Sequence, residues 1–462
     1  MADLYVSAAH KSSGKTVVTL GLCAALRERG VRVAPYKKGP DYIDAGWLAY
    51  AAGQACYNLD FNTMGVDEIK ACFDASANSA DIAVIEGTKG LHDGVKTDGS
   101  DSNAALVSLL QTPVLLVIDA RGMTRGVAAL LLGLQTFAPQ LRFAGVILNR
   151  VGGMRHGTKL RAAVETYSDC PVLGLVPEQA ALGITERHLG LMPGRESKDV
   201  ETWLARVVEV IEDSVDVSAL APKEVGRALA PPMTVSARDR GRLRLAVARD
   251  AAFNFYYADD LEALSHADVE ICFFDTLRDA KVPEADALWL GGGFPETAMN
   301  TLGDNVGMRE SIQDFARTKR PIYAECGGLM YLARTLTWGE RRKAMCGVLP
   351  IDIEMRERPQ GRGYMQLKET GAAPWGRIVG ADALLPAHEF HYSCIAPASQ
   401  SGLQFAYEVT RGFGADGQHD GIVYGSVFAT YAHLRNTRRS PWIDAFVGWI
   451  RRATSNIEAY HV

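Results

Sequence analysis

Two doubly wound α/β units in tandem, the first on a mostly parallel sheet, are the fold this sequence predicts. Three observations carry the expectation. Short apolar runs alternate with helical stretches through residues 1–220, as a series of βαβ units requires. A stretch rich in proline and charge, 221–242, interrupts that alternation and reads as a linker. A new series of apolar runs opens at Leu243 and makes 243–462 the second unit. At 462 residues in all, either unit is long enough to bury its own core.

Composition excludes several classes of function. Hydrophobic residues make up 47% and charged residues 22%, as in ordinary globular proteins. The net charge of −5 offers no basic surface for nucleic acid or anionic lipid. No apolar run approaches the roughly 20 residues of a membrane span, and the first residues lack the basic and apolar regions of a signal peptide. The eight cysteines are scattered, without a CxxC pair or zinc spacing, and read as reduced thiols. A cytoplasmic protein without nucleic-acid or membrane partners is expected, with a homodimer left open.

Residues 4–9 (Leu-Tyr-Val-Ser-Ala-Ala) read as a buried strand, and Val17–Arg29 as a helix that stops at Gly30. Between them lies His10-Lys11-Ser12-Ser13-Gly14-Lys15-Thr16. A strand, a loop ending Gly-Lys-Thr and a helix form the setting of a phosphate-binding loop. The candidates for holding nucleotide are Lys11, Ser13, Gly14, Lys15 and Thr16, with the hydroxyl of Thr16 on magnesium. Ala9 replaces the usual first glycine, and Lys11 supplies a second lysine able to reach phosphate.

The next strand, Arg32–Tyr36, runs into Lys37-Lys38-Gly39-Pro40-Asp41-Tyr42-Ile43-Asp44. Lys37, Asp41 and Asp44 then stand at the end of a parallel strand, where open α/β sheets bind ligands. The apolar run Asp81–Gly87 ends on Glu86 and continues to Asp93. A strand-terminal acid beside a phosphate loop is a magnesium holder, so Glu86 and Asp93 are candidates. Pro113–Asp119, Phe143–Arg150 and Pro171–Pro177 complete six strands, with Asn149 placed to read an adenine. A helix is expected over about 197–213.

In the second unit, Leu243–Ala248, Val269–Phe274 and Ala287–Leu290 read as strands. Phe253, Phe255, Tyr256 and Tyr257 suit either a core or a platform for a flat ligand. Leu290 leads into Gly291-Gly292-Gly293, whose freed amides could hold an oxyanion. Pro321–Glu325 is a short apolar run ending at Cys326-Gly327-Gly328 and a helix-like Leu-Met-Tyr-Leu. A strand, sharp turn and helix with the cysteine on the turn form a nucleophile elbow, where the helix N-terminus favours a thiolate. His433, about a hundred residues on, supplies a base. His388 and His391 are spaced wrongly for two metal ligands on one face of a strand.

The glycine loop, cysteine elbow and late histidine resemble the triad-type (class I) glutamine amidotransferases in their order. Most of those carry a glutamate two residues after the histidine; here that position is Arg435. The resemblance sharpens over six segments. They are Lys37–Asp44, Glu86–Gly94, Glu186–Leu191, Ala252–Tyr257, Ala324–Leu332 and His388–Ser393. Together these resemble the cobyrinic acid a,c-diamide synthases along essentially the whole chain, a family that also lacks the glutamate. The resemblance implies a dethiobiotin synthetase-like ATPase unit and a flavodoxin-like amidotransferase unit. It implies ATP- and glutamine-dependent amidation of the a and c acetate side chains of a tetrapyrrole, with magnesium, by a carbon–nitrogen ligase of cobalamin biosynthesis.

Family roles fall on Lys15 and Thr16 at phosphate and magnesium, with Asp41, Tyr42, Ile43, Glu86 and Asp93 at the carboxylate-activation site. Asp41 and Glu86 join Thr16 as expected magnesium ligands. Cys326 is then the nucleophile, His433 the base, and Gly292, Gly293 and Gly327 the oxyanion donors. Cobyrinate is the expected acceptor. Lys38 and Lys89, where apolar residues are expected, would suit another tetrapyrrole, such as sirohaem, hydrogenobyrinate or nickel-sirohydrochlorin. A rival of another class is a regulatory or partitioning ATPase with an inactive amidotransferase unit, favoured by Lys11.

Overall fold

The computed structural model describes residues 3–179, 182, 186–187, 190–191, 198–222, 242–397 and 402–460. The chain divides into two compact units, Met1–Val235 and Ser236–Val462. The expected linker, 221–242, lies for the most part outside the described residues, as do His188 and Leu189.

The first unit is a seven-stranded sheet with every pairing parallel, in the order β3-β2-β4-β1-β5-β6-β7. The strands are β1 (Asp3–Ala8), β2 (Val33–Lys38), β3 (Tyr57–Leu59), β4 (Ile82–Glu86), β5 (Val114–Asp119), β6 (Phe143–Val151) and β7 (Val172–Pro177). The central β4 and β5, buried on both faces, read as continuous apolar runs, whereas β7 at the sheet edge alternates buried and half-buried residues. β3 is absent from the sequence expectation. Three residues carry no periodicity, and β3 exists because it pairs with β2, Lys37 opposite Asn58. Helices α1 (Lys15–Glu28) and α2 (Tyr42–Ala52) share one core with the helix Lys198–Ser214, which falls where the sequence placed it. The turns after β1, β2 and β4 thus gather at one edge of the sheet, beside the reversal between β4 and β5 about β1.

The second unit is built on nine strands, five parallel and four antiparallel. They are β8 (Leu243–Ala248), β9 (Val269–Phe274), β10 (Ala287–Leu290), β11 (Ile322–Glu325), β12 (Gly361–Glu369), β13 (Leu385–His391), β14 (Gln404–Arg411), β15 (His419–Tyr424) and β16 (Val427–Thr430). Their order is β9-β8-β10-β11-β16-β15-β14-β12-β13. The first five are parallel and follow the flavodoxin order; the rest extend the sheet antiparallel. A separate four-stranded sheet joins 341–344, 335–338, 352–355 and 393–395. No described helix is long and apolar enough to cross a membrane.

Candidate active sites

In the first unit, the loop between β1 and α1 is held from several sides. Ser12 and Gly14 have left-handed backbones, φ 65° and 83°, which turn the chain sharply into the helix at Lys15. Ser13 Oγ donates to the carbonyl of His10 at 2.8 Å. At the end of β6, Asn149 Nδ2 donates to Ser13 O at 2.8 Å, and Arg150 Nη1 to Ser12 O at 2.8 Å. A Cβ on Gly14 would lie 2.1 Å from Asn149 Nδ2, so only glycine fits. Asn149, expected at an adenine, braces the loop between β1 and α1.

Glu86, at the end of β4 and fully buried, is the charge centre of this unit. Its Oε1 takes Lys15 Nζ at 2.8 Å and Thr16 Oγ1 at 2.7 Å, with Lys37 Nζ at 3.3 Å. Burial pushes its carboxyl up, but the two lysines and Thr16 outweigh that and bring it down to about 2. Lys37, itself 1% exposed, ion-pairs with Asp44 Oδ2 at 2.5 Å. Burial works against its charge, and Asp44 and Glu86 more than restore it.

Asp41 caps α2 by accepting the Asp44 N–H at 2.9 Å, the N-terminal role this residue type favours. Asn58 Nδ2 holds the same turn, bonding Gly39 O at 2.7 Å and Asp41 O at 3.0 Å. Tyr42 and Ile43 open the helix, and Ile43 leans on the core behind it. Asp93 accepts the Gly90 N–H at 3.0 Å and closes its own turn. Lys11 is exposed. The structure therefore gathers Lys15, Thr16, Lys37, Asp44 and Glu86 into one charge network, with Asp41 at the head of α2; no bond of this network reaches Asp93.

In the second unit, β10, β11 and β16 are adjacent and parallel, so their C-terminal turns lie side by side. These turns carry the three glycines, Cys326 and His433. Cys326 sits at φ 44°, ψ −97°, a strained conformation for a side chain of its kind and the mark of an elbow. Its N–H is fixed on Thr430 O at 2.7 Å. A Cβ on Gly292 would lie 2.5 Å from His433 Cε1, and one on Gly327 would lie 3.0 Å from Gly293 N. Glycine at these positions lets the three turns close on each other.

The helix N-terminus that favours a thiolate at Cys326 is opposed by burial. Cys326 is buried, and burial pushes its thiol far above the ordinary range, with Glu296 and Glu325 adding to the rise. The N–H of Gly327 opposes this and loses, since the helix it opens is only Gly327–Leu332. The thiol is neutral at rest, and a base must take its proton.

His433 is buried on a loop with dense support. Its backbone exchanges bonds with His388, N–H to O at 2.8 Å and 3.3 Å, and the two rings stack with centroids 4.9 Å apart. Asp420, fully buried, locks the residues before it. Oδ1 accepts from Gly421 N at 2.8 Å and Tyr431 N at 3.0 Å, and Oδ2 from Thr430 Oγ1 at 2.9 Å and Ala432 N at 2.8 Å. An amide cannot accept at both ends. Asp420→Asn is therefore expected to lose about 2–3 kcal/mol in thermal unfolding, and glutamine hydrolysis is expected to fall with it. His391 bonds Ser393 O at 2.8 Å and stacks on Tyr431, so the two histidines of this strand go to different partners. Phe253, Phe255 and Tyr257 are core. Tyr256 OH accepts the Gly291 N–H at 2.9 Å, bracing the glycine turn.

Residues 6–190 match a family model described as "CobQ/CobB/MinD/ParA nucleotide binding domain", and 244–440 one described as "CobB/CobQ-like glutamine amidotransferase domain". Among curated proteins, the chain is 44% identical over 447 residues to "Cobyrinate a,c-diamide synthase" of Magnetococcus marinus, covering 95% of both chains. The chain belongs to the cobyrinate a,c-diamide synthase family. Two further members are similar to it. The Archaeoglobus fulgidus protein is 38% identical over 91% of each chain, and the Listeria monocytogenes (serovar 1/2a) protein 36% identical over 98% of this chain and 100% of its own.

In this cobyrinate a,c-diamide synthase family member, sequence reading passed over Asn58, Asp420 and Glu325. Asn58 lies on a strand too short to show in the pattern. Asp420 lies between glycine-rich turns with nothing to mark it. Glu325 was visible, adjacent to the cysteine, and only the folded geometry shows what it faces.

Proposed function

We propose that this chain amidates the a and c acetate carboxylates of cobyrinate, using ATP to activate each carboxylate and glutamine as the source of ammonia. What supports this is the pairing, within one chain, of a phosphate loop closed on a buried carboxylate with a cysteine elbow beside a buried histidine. The shared name of the relatives favours cobyrinate over sirohaem, hydrogenobyrinate or nickel-sirohydrochlorin.

In this reading, Lys15 and the amides opening α1 hold the phosphates of ATP, with Ser13, Gly14 and Lys11 lining the loop. Nucleotide must draw Lys15 off Glu86. Magnesium fits the donors present. Glu86 Oε2 is buried without a hydrogen-bond partner among the described residues, and Thr16 Oγ1 lies on the same carboxylate. Thr16, Glu86 and Asp41 would hold the ion, which would neutralise phosphate charge. Lys37, Tyr42, Ile43, Asp44 and Asp93 would frame the acceptor carboxylate. Its oxygen attacks the terminal phosphate and ADP leaves, giving an acyl phosphate from which ammonia displaces inorganic phosphate to form the amide.

In the second unit, His433 takes the Cys326 proton as the sulfur attacks the glutamine carboxamide. The amides of Gly292, Gly293 and Gly327 would meet the oxyanion. His433 then returns the proton to the departing ammonia, and water frees glutamate from the thioester.

The test is product mass from ATP, magnesium and amide-labelled glutamine with cobyrinate, hydrogenobyrinate or sirohaem. Cobyrinate should gain two labelled amide nitrogens per ring. Glutamine consumption with no amidated ring would refute the proposal, and preferential use of another ring would refute its acceptor.

A further inference from the structure

We infer that Glu325, the residue immediately before the thiol, is the carboxylate that orients His433, taking the place of the acid missing after the histidine. The inference rests on the reading of Cys326 and His433 as the working pair.

The position two residues after the histidine is Arg435. Its side chain is buried and committed elsewhere, with Nη2 and Nε on Asp259 Oδ2 at 2.7 Å and 3.1 Å and its guanidinium 4.9 Å above the Tyr257 ring. A guanidinium has no lone pair for an imidazole N–H. Glu325 does. Its Oε2 lies 3.5 Å from His433 Nδ1, with both side chains 2% exposed. Its Oε1 accepts Tyr323 OH at 2.6 Å and the Leu434 N–H at 3.3 Å. One carboxylate thus holds the backbone next to His433 while its other oxygen faces the ring. Catalytic hydrogen bonds are often long before substrate arrives and shorten with it.

Adjacency to Cys326 explains how this works. β11 and β16 pair with Glu325 opposite Thr430, so the last strand residue before the cysteine looks across at the turn that carries the histidine. An Nδ1–H donated to Glu325 fixes the tautomer and leaves Nε2 for the thiol proton. The carboxylate also stabilises the imidazolium that results. The ring stacks on His388 from β13; beyond it lie Tyr257, whose OH is 3.4 Å from His388 Nδ1, Arg435 with its partner Asp259, and Asp260, which feels both Arg435 and Glu325. His388 is held neutral by burial. Arg435 is matched by Asp259, and burial together with Asp259 pushes the Asp260 carboxyl up toward its neutral form, which leaves Glu325 as the anion placed to balance a charged His433.

Glu325 is a positioning residue, so its test needs more than lost activity. Glu325→Gln keeps an oxygen for the ring and removes the charge. Glutaminase kcat should fall about a hundredfold or more. The acid limb of the kcat/KM–pH profile should move to lower pH, because the imidazolium loses its anion. Ammonia-driven amidation should stay at the wild-type rate. Tyr323→Phe frees one anchor of the carboxylate and should shift the profile the same way by less; it carries the test should Glu325→Gln not fold. A profile that does not move in the folded variants overturns the inference. Cys326→Ala run alongside separates the outcomes: glutaminase surviving there defeats the Cys326–His433 reading itself.

Discussion

Cys326→Ala is expected to end glutamine-driven amidation and leave ammonia-driven amidation intact. Loss of the nucleophile removes the covalent route, so glutaminase activity should drop by about three orders of magnitude or more. The folded state should barely notice. The change removes one sulfur from the core, and the neighbouring turns are held by contacts that do not involve it: Cys326 N on Thr430 O, Gly328 N on Gly291 O and the Asp420 network. Melting temperature should therefore stay close to wild type while activity splits by nitrogen source. The neutral thiol adds a sharper expectation. Iodoacetamide reacts with thiolate, and burial holds this thiol protonated at neutral pH. Alkylation of Cys326 in the free enzyme should therefore be slow and should climb with pH. An alanine variant that still hydrolyses glutamine, or a thiol that alkylates rapidly at neutral pH, would contradict this account.

How far the sequence disclosed this depended on which physical signal each part emits. Buried parallel strands are continuous apolar runs, so β8 and β10 fell where the sequence placed them, and the edge strand β9 showed through its Ile-Cys-Phe-Phe run although only its ends are buried. β16 did not show as a strand. Its four residues merge into the histidine loop, and their role comes from pairing with β11 on one side and β15 on the other. Most of the antiparallel half escaped for a related reason, the strand around His388 and His391 apart. β12 opens Gly361-Arg362-Gly363, and a Cβ on Gly361 would meet His391 Nε2 at 2.3 Å, so glycine there records a long-range contact rather than a local preference. In the sites, residue types that carry chemistry at fixed spacing stood out: Lys15, Thr16, Glu86, Cys326 and His433. The residues that hold them did not. Asn149 and Asn58 act through bonds to backbone 136 and 17 to 19 residues away, and Asp420 through bonds up to 12 residues on, and no local pattern records such partners. The pull of the helix end on Cys326 can be read locally, whereas the opposing desolvation depends on the whole fold around it.

Glu86→Gln is expected to be the most damaging change in the first unit, because one carboxylate serves two lysines and a hydroxyl. Lys15 and Lys37 would both face a neutral amide at 2.8 Å and 3.3 Å, with Asp44 left to balance Lys37 alone. Stranding buried charge in this way costs about 3–5 kcal/mol. Linkage gives a similar magnitude. Lowering the Glu86 carboxyl from its ordinary 4.5 to about 2 corresponds to about 3 kcal/mol. The folded value is depressed, so the contribution is fully present above pH 4.5 and is lost as pH falls toward 2. Wild type should thus lose stability on acidification through that window, and Glu86→Gln should lose less, since its deficit is already present at neutral pH. Thermal unfolding of both proteins between pH 3 and pH 7 measures the difference, and parallel curves would show that Glu86 carries no such linkage. The same substitution removes an expected magnesium ligand and the partner from which nucleotide must draw Lys15. Amidation should therefore collapse with glutamine and with free ammonia alike, while Cys326-dependent glutamine hydrolysis continues. That pattern is the inverse of Cys326→Ala, and the two variants together assign the two half-reactions to the two units.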